Sequence, residues 1–332
     1  MIAPYPWQQA QWQQLQQRLQ QGQLPHALLL HGPAGIGKED FAQLTARALL
    51  CEQPDTTGLA CGHCKACQLL EADNHPDFVP VVPEESGKAI KIDQIRDLIR
   101  QMALSAHFSG YRVVLVSPAD EMNLAAANSL LKTLEEPQQN TIILLVTSKL
   151  ARLPATIRSR CQMMRFALPN QDEALNWLRD TLPDPSQAEL LLSTANGAAL
   201  LARQMADDQT IEHRQQVLQD MTALSAGSKQ PLKVADEWLK QHNAMTLQWV
   251  YHWVCDMIRI KSGDATHVVN QDIVQQLQSF AQGIELNRLY QFLDQLSEGI
   301  RFRQTSANEL LLLEGLLLNW TYLKNDAKQQ RA

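Results

Sequence analysis

Residues Gly32 to Glu39 read Gly-Pro-Ala-Gly-Ile-Gly-Lys-Glu, which follows the pattern of a phosphate-binding loop through Lys38 and then departs from it at Glu39. In such a loop the glycines let backbone N–H groups wrap phosphates, the lysine reaches the outer phosphates, and a closing Ser or Thr hydroxyl ligates Mg²⁺. The flanks suit that geometry. Ala27-Leu28-Leu29-Leu30-His31 is a buried-strand run and Phe41 to Leu50 reads as a helix, so the chain must contain a strand–turn–helix unit of an α/β fold. Glu39 puts negative charge beside the place for a polyphosphate. The geometry is retained while the metal chemistry is compromised, with Gly32, Gly35, Gly37 and Lys38 as the candidate nucleotide-binding positions.

From His26 to about Phe166, short apolar runs alternate with helical stretches. Strands are expected near 27–31, 77–82, 112–117, 141–147 and 162–166, and helices near 40–50, 91–104 and 122–136. That alternation predicts a three-layer α/β domain with a mostly parallel sheet. Ahead of it, Trp12, Leu15 and Leu19 share one side of a Gln-rich helix expected to pack on this domain. After Pro169 the alternation stops and the pattern is helical, with a small lid over 171–205 and a polar joint at Ala206-Asp207-Asp208. Farther on, Leu247, Val250, Val254, Met257 and Ile258 form one stripe, and Leu286, Leu289, Phe292, Leu293 and Leu296 another. The runs Leu310–Leu313 and Leu316–Leu318 are apolar nearly all round, which predicts a helix buried in its domain or against a neighbouring subunit.

A hydrolytic P-loop site also needs an acid after a second buried strand. Here Val113-Val114-Leu115-Val116 is followed by Ser117-Pro118, which can neither ligate a metal strongly nor take a proton from water at neutral pH. Asp120 and Glu121 follow, either as a shifted replacement or as first-turn acids of the next helix. Four of the six cysteines, Cys51, Cys61, Cys64 and Cys67, fall in the pattern C-x9-C-x2-C-x2-C just after the P-loop helix. Four thiolates on tight turns suit a closed, structural tetrahedral Zn²⁺ site; an iron–sulfur cluster or free thiols are the alternatives, and His63 is surplus. Ser159-Arg160-Cys161 lies before the last strand, at the rim of the sheet. An arginine there is placed to reach outside its own subunit as an arginine finger, with a surface ion pair as the plainer reading. Lys91, Arg96 and Arg100 face outward from one helix and read as a solvated face rather than a nucleic-acid contact.

The run Ala126-Ala127-Asn128-Ser129-Leu130-Leu131-Lys132-Thr133-Leu134-Glu135-Glu136-Pro137, followed by Ser159-Arg160-Cys161, resembles the signature of bacterial clamp-loader ATPase subunits of the AAA+ class. With the four-cysteine insert the resemblance spans about residues 26–166. It implies an α/β P-loop (AAA+) domain with a parallel sheet over 1–166 carrying a zinc insert at 51–67, a small helical lid over 167–207 and an all-α collar or oligomerisation domain over 208–332. Asn308-Glu309-Leu310 and its leucine run are similar to the final collar helix of that family. The motor members, gamma or tau, keep a Ser or Thr after the lysine, an Asp-Glu pair after the strand and a sensing arginine on the lid. This chain has Glu39, Ser117-Pro118 and Gly197 there, so the resemblance implies a non-motor stator with no independent enzymatic activity. It further implies Arg160 acting in trans on a neighbour's ATP, motor subunits and a delta subunit as partners, and a sliding clamp and primed DNA engaged through the DNA polymerase III assembly. Lys38 and the glycines leave nucleotide binding without turnover open.

At 332 residues the chain is long enough for two or three domains, and 29 Lys plus Arg against 35 Asp plus Glu argue against coating nucleic acid by bulk charge. With no long apolar run and no secretory pattern at the start, the expected location is the cytoplasm. Two rivals stay in play: an active P-loop ATPase motor, and a zinc-dependent nucleic-acid-binding module.

Overall fold

The computed structural model describes residues 3–85, 87–102, 110–207, 210–241, 245–264, 267–302 and 308–329. They divide into two compact units, Met1–Asp180 with Gly197–Leu201, and Thr181–Asn196 with Ala202–Ala332. The last two residues of the helix expected at 91–104, and Asp208 of the expected polar joint, lie outside the described residues.

In chain order the first unit contains α1 (Gln9–Gln20), β1 (Ala27–His31), α2 (Lys38–Leu50), α3 (Lys65–Glu71), β2 (Phe78–Val81), α4 (Ile92–Met102), β3 (Arg112–Val116), α5 (Leu124–Glu135), β4 (Thr141–Thr147), α6 (Ala155–Arg158), β5 (Gln162–Arg165) and all but the last residue of α7 (Gln171–Thr181). The five strands form one parallel sheet in the order β2-β3-β4-β1-β5. Parallel strands need covering on both faces, and β3 and β4 are buried along their whole length, which is why their sequences are unbroken apolar runs rather than alternating ones. Register places Leu29 beside Leu145 and Met163, and Val114 beside Ile143. Ile95, Leu98 and Met102 of α4 and Ala126, Leu130 and Leu134 of α5 belong to the core cluster that includes Leu29, Val114 and Ile143. Trp12 and Leu15 of α1 are buried as well.

Local signals explain the helix ends that position the site. Gly37 stands before α2 with φ 81°, a left-handed turn that an L side chain rarely adopts. Asn123 caps α5 by accepting from the Ala126 N–H at 2.8 Å, and Pro137 follows closely after its last turn. Gly32, at φ 150°, is held by contact: a Cβ there would lie 2.1 Å from the Phe166 carbonyl oxygen. Gly32→Ala is therefore expected to cost about 3 kcal/mol, because the obstacle is the backbone at Phe166 rather than a movable side chain. Equilibrium urea unfolding, read as a drop in midpoint at unchanged slope, checks it.

The second unit is helical. It holds α8 (Ala188–Thr194), most of α9 (Ala199–Asp207), α10 (Thr210–Ser225), α11 (Pro231–Gln241), α12 (Thr246–Lys261), α13 (Val274–Ala281), α14 (Leu286–Phe302) and α15 (Glu309–Gln329). The α12 stripe is buried throughout, and Leu289, Phe292 and Leu296 of α14 join it in one core with Leu313, Leu316, Leu317 and Trp320 of α15. The expectation for α15 is met on one face only. Leu311 is 67 % exposed and Tyr322 57 %, because a helix can bury just the part of its circumference that faces its neighbours. Two buried charges are matched inside this core: Asp256 accepts from the backbone and side-chain N–H of Asn270, and Arg214 pairs with Asp272 and Asn270. Among the described residues no helix is long and apolar enough to cross a membrane.

Candidate functional site

The carboxyl ends of β1, β3 and β4 lie on one edge of the sheet, with His31 beside Thr147 and Val116 beside Leu145. The P-loop leaves β1 there, Ser117 leaves β3 and Ser148 leaves β4. Crevices at this edge are where open α/β sheets take ligands. The cleft has a volume of about 260 Å³ and is lined by Gly35, Lys38, Glu39, Ser117 and Ser148 among others.

The two departures found in the sequence meet here. Ser117 Oγ donates a hydrogen bond to Glu39 Oε2 at 2.9 Å. One residue stands at the position of the Mg²⁺-ligating hydroxyl and the other at that of the acid, and they are spent on each other. Asp120 is, as one of the two readings expects, a first-turn acid of the next helical element, the single 3-10 turn Ala119–Glu121. It sits in a short turn ahead of α5, and its Oδ1 accepts from Thr147 Oγ1 at 2.6 Å and from the Ser148 N–H at 3.3 Å, tying β4 to the segment after β3. Lys38 is buried, and its ammonium donates to the Pro33 carbonyl and to Ser148 Oγ at 2.9 Å. Burial lowers its pKa to about 8, with Asp120 pulling the other way.

The loop is braced from outside. Gln8, itself buried, donates from Nε2 to the Ile36 and Gly37 carbonyls at 3.0 and 2.8 Å, and Trp7 Nε1 donates to the Ile36 carbonyl at 3.0 Å. The Gly35 carbonyl accepts from the Leu200 and Leu201 N–H groups. Tyr5 stacks on Trp7 with centroids 5.2 Å apart, and Trp177 meets both edge-on. The Tyr5 hydroxyl donates to Asp40, and burial together with that carboxylate pushes its pKa up to about 12. Sequence reasoning missed Tyr5, Trp7, Gln8 and Ser148. The Pro-flanked aromatic run Pro4-Tyr5-Pro6-Trp7 was the signal that the opening segment does more than pack a helix.

The four cysteine sulfurs lie within 4.8 Å of one another. Cys51 and Cys64 are 3.9 Å apart and Cys61 and Cys67 4.0 Å. Zinc–sulfur bonds of ~2.3 Å place tetrahedral sulfurs ~3.8 Å apart, so the donor set fits a metal ion of that kind. The cluster closes the loop between α2 and α3, a helix that periodicity did not predict. A hydrogen bond from the His63 backbone is the main cause that draws Cys61 down to about 7, while burial raises Cys51 and Cys67. The His63 ring stays outside the sulfur cluster, against the Cys61 carbonyl.

Arg160 follows α6 and is partly exposed. Its Nε donates to Glu135 Oε1 at 2.8 Å, Nη2 reaches the same carboxylate, and Nη1 donates to the Thr156 carbonyl at 3.0 Å. The outward face of α4 is neutralised as a solvated face would be: Lys91 pairs with Glu84, Arg96 with Asp93 and Arg100 with Asp97.

A parallel sheet in this order, with a P-loop after its β1 strand and a helical region beyond, defines a P-loop domain of the AAA+ class in which Glu39 and Ser117 are hydrogen-bonded to each other. A sequence profile described as DNA polymerase III, delta subunit matches residues 7–170, and one described as DNA polymerase III, delta subunit, C terminal matches residues 208–322. The chain is 38 % identical over 329 residues to the DNA polymerase III subunit delta' of Pseudomonas aeruginosa, covering 96 % of this chain and 98 % of that one. It is 32 % identical over 320 residues to the subunit of the same name from Escherichia coli, covering 95 % and 94 %. A DNA polymerase III subunit gamma from Buchnera aphidicola is 31 % identical over 183 residues, covering 53 % of this chain and 49 % of that one. The chain belongs to the delta' family of DNA polymerase III subunits, clamp-loader proteins of DNA replication.

Proposed function

We propose that this chain is the non-motor stator of its clamp loader: it turns over no ATP of its own, supplies Arg160 in trans to the ATP site of a neighbouring motor subunit, and helps the assembly place a sliding clamp on primed DNA. The observation that carries this reading is the contact between Glu39 and Ser117, which occupies with one hydrogen bond the two positions that would hold Mg²⁺ and activate water. Gly32, Gly35, Gly37 and Lys38 remain as a cradle for a nucleotide's phosphates without turnover. The gamma-type motor subunits and the delta subunit are the partners, met through the residues about 167–207 as a lid and 208–332 as a collar. The open face of α15 with Leu311 and Tyr322 supports a packing role there.

Zinc is the metal this reading assigns to Cys51, Cys61, Cys64 and Cys67, as a structural brace of the insert. An iron–sulfur core places several irons between its thiolates and spreads them farther than a single ion does, which the 4.8 Å limit disfavours. Steady-state hydrolysis by the isolated chain tests the stator reading. No Mg²⁺-dependent turnover above background is expected; turnover that disappears on Lys38→Ala would make the chain a motor instead.

A further inference from the structure

The side chain holding Arg160 is an acid in an unfavourable place. Glu135 is the last residue of α5, where the carbonyl end of the helix dipole disfavours negative charge, and Glu136 follows it at the cap. A helix end usually gains from a cation at that position. Besides Lys132 in its own last turn, α5 takes a second one from 25 residues farther along the chain, in the loop after α6. Glu135 takes the Nε and Nη2 edge of the guanidinium, and the Thr156 carbonyl takes Nη1. Three nitrogens held from two sides fix the plane and direction of the group, while a third of the Arg160 side chain (33 %) remains open to solvent.

We propose that Glu135 is the positioning residue for Arg160, presetting the guanidinium so that it enters an anionic site on a neighbouring subunit without first losing its rotamer freedom. This rests on the reading of Arg160 as a group that acts outside its own chain. A long arginine side chain surrenders considerable entropy when it is fixed, and fixing it beforehand lowers the cost of the encounter. The clasp is also reversible. Both side chains are partly solvated, and exposed pairs of this kind hold weakly, so a polyphosphate oxygen can compete for the outer N–H groups without breaking a buried contact. Stability alone is a poor reason for the pair, since its contribution to folding is small.

The experiment uses the full-length chain reconstituted with its clamp-loader partners, sliding clamp, primed DNA and Mg·ATP, comparing wild type, Glu135→Gln, Arg160→Ala and the double variant. Glu135→Gln removes the charge at an exposed position and keeps the shape. It should lower kcat for DNA-stimulated hydrolysis about two- to five-fold with the KM for ATP unchanged, and the deficit should shrink as salt rises and weakens the wild-type pair. In the Arg160→Ala background it should have no further effect. An Arg160→Ala deficit with an unaltered Glu135→Gln rate overturns the positioning role and leaves the finger standing. No change on Arg160→Ala overturns the finger itself. A Glu135→Gln rate above wild type, or a loss that persists in the double variant, also overturns the proposal.

Discussion

Replacing Arg160 by alanine is expected to leave the chain folded and able to assemble, and to slow hydrolysis at the neighbouring ATP site it is proposed to serve by roughly 10³-fold. The size of the effect comes from where charge develops. A guanidinium aimed at a transferring phosphoryl group stabilises negative charge that grows on the way to the transition state, in a closed site where water cannot screen it. The small effect on folding follows from its surroundings: Arg160 is partly exposed, and its contacts to Glu135 and the Thr156 carbonyl lie at the surface. The measured steady-state rate of the assembly will fall less than the single-site factor, because sites that other subunits serve continue to turn over. Single-turnover hydrolysis in the reconstituted complex separates these contributions, and an unchanged rate would end the finger assignment.

The second large effect concerns the insert. Cys67→Ser is expected to eliminate stoichiometric bound zinc, which metal analysis would otherwise find at about one ion per chain, and to unfold the segment from Cys51 through α3 while the sheet remains. Cys67 is buried, and the Cys64 sulfur accepts from the Cys67 N–H at the first turn of α3, so the knot of sulfurs is also the cap of that helix. Without a metal, four thiols in a partly buried cluster bring little binding energy to hold a loop of this length. In zinc-finger peptides the ion supplies on the order of 10 kcal/mol to folding, and an insert with few buried residues depends on it similarly. Limited proteolysis should cut the variant within residues 51–71 and spare the rest of the first unit; a resistant, metal-free chain would show that the insert stands without its ion.

Much of the fold could be read from apolar runs and punctuation. The strands β1, β3 and β4 are buried on both faces, so their side chains had to be continuously apolar, and each was located to within a residue or so. The short helices α3 and α6 were not, since seven and four residues provide too few turns for a periodic signal. Glu39 and Ser117 were each recognisable as departures from a pattern. Their hydrogen bond was not, because it joins residues 78 positions apart and depends on the order of strands in the sheet. Asp120 was legible as an acid near the site but not as a partner of Thr147, for the same reason. The braces from Trp7 and Gln8 eluded the reading because a Gln-rich segment looks solvated unless its partners are known, and here those are bare backbone carbonyls, which leave no mark on the sequence.

The bond between Ser117 and Glu39 also constrains the routes by which such a pocket could take on a motor's residues. Placing an aspartate at position 117 first would set two carboxylates against each other in a part-buried cleft, a step backward in stability. Placing a hydroxyl at position 39 first leaves two neutral groups that can still pair, and only then is an acid at 117 tolerated. The pocket thus has a preferred order of change, in which the second substitution is tolerated only if the first is already in place. A lineage selected step by step has little to draw it onto that path.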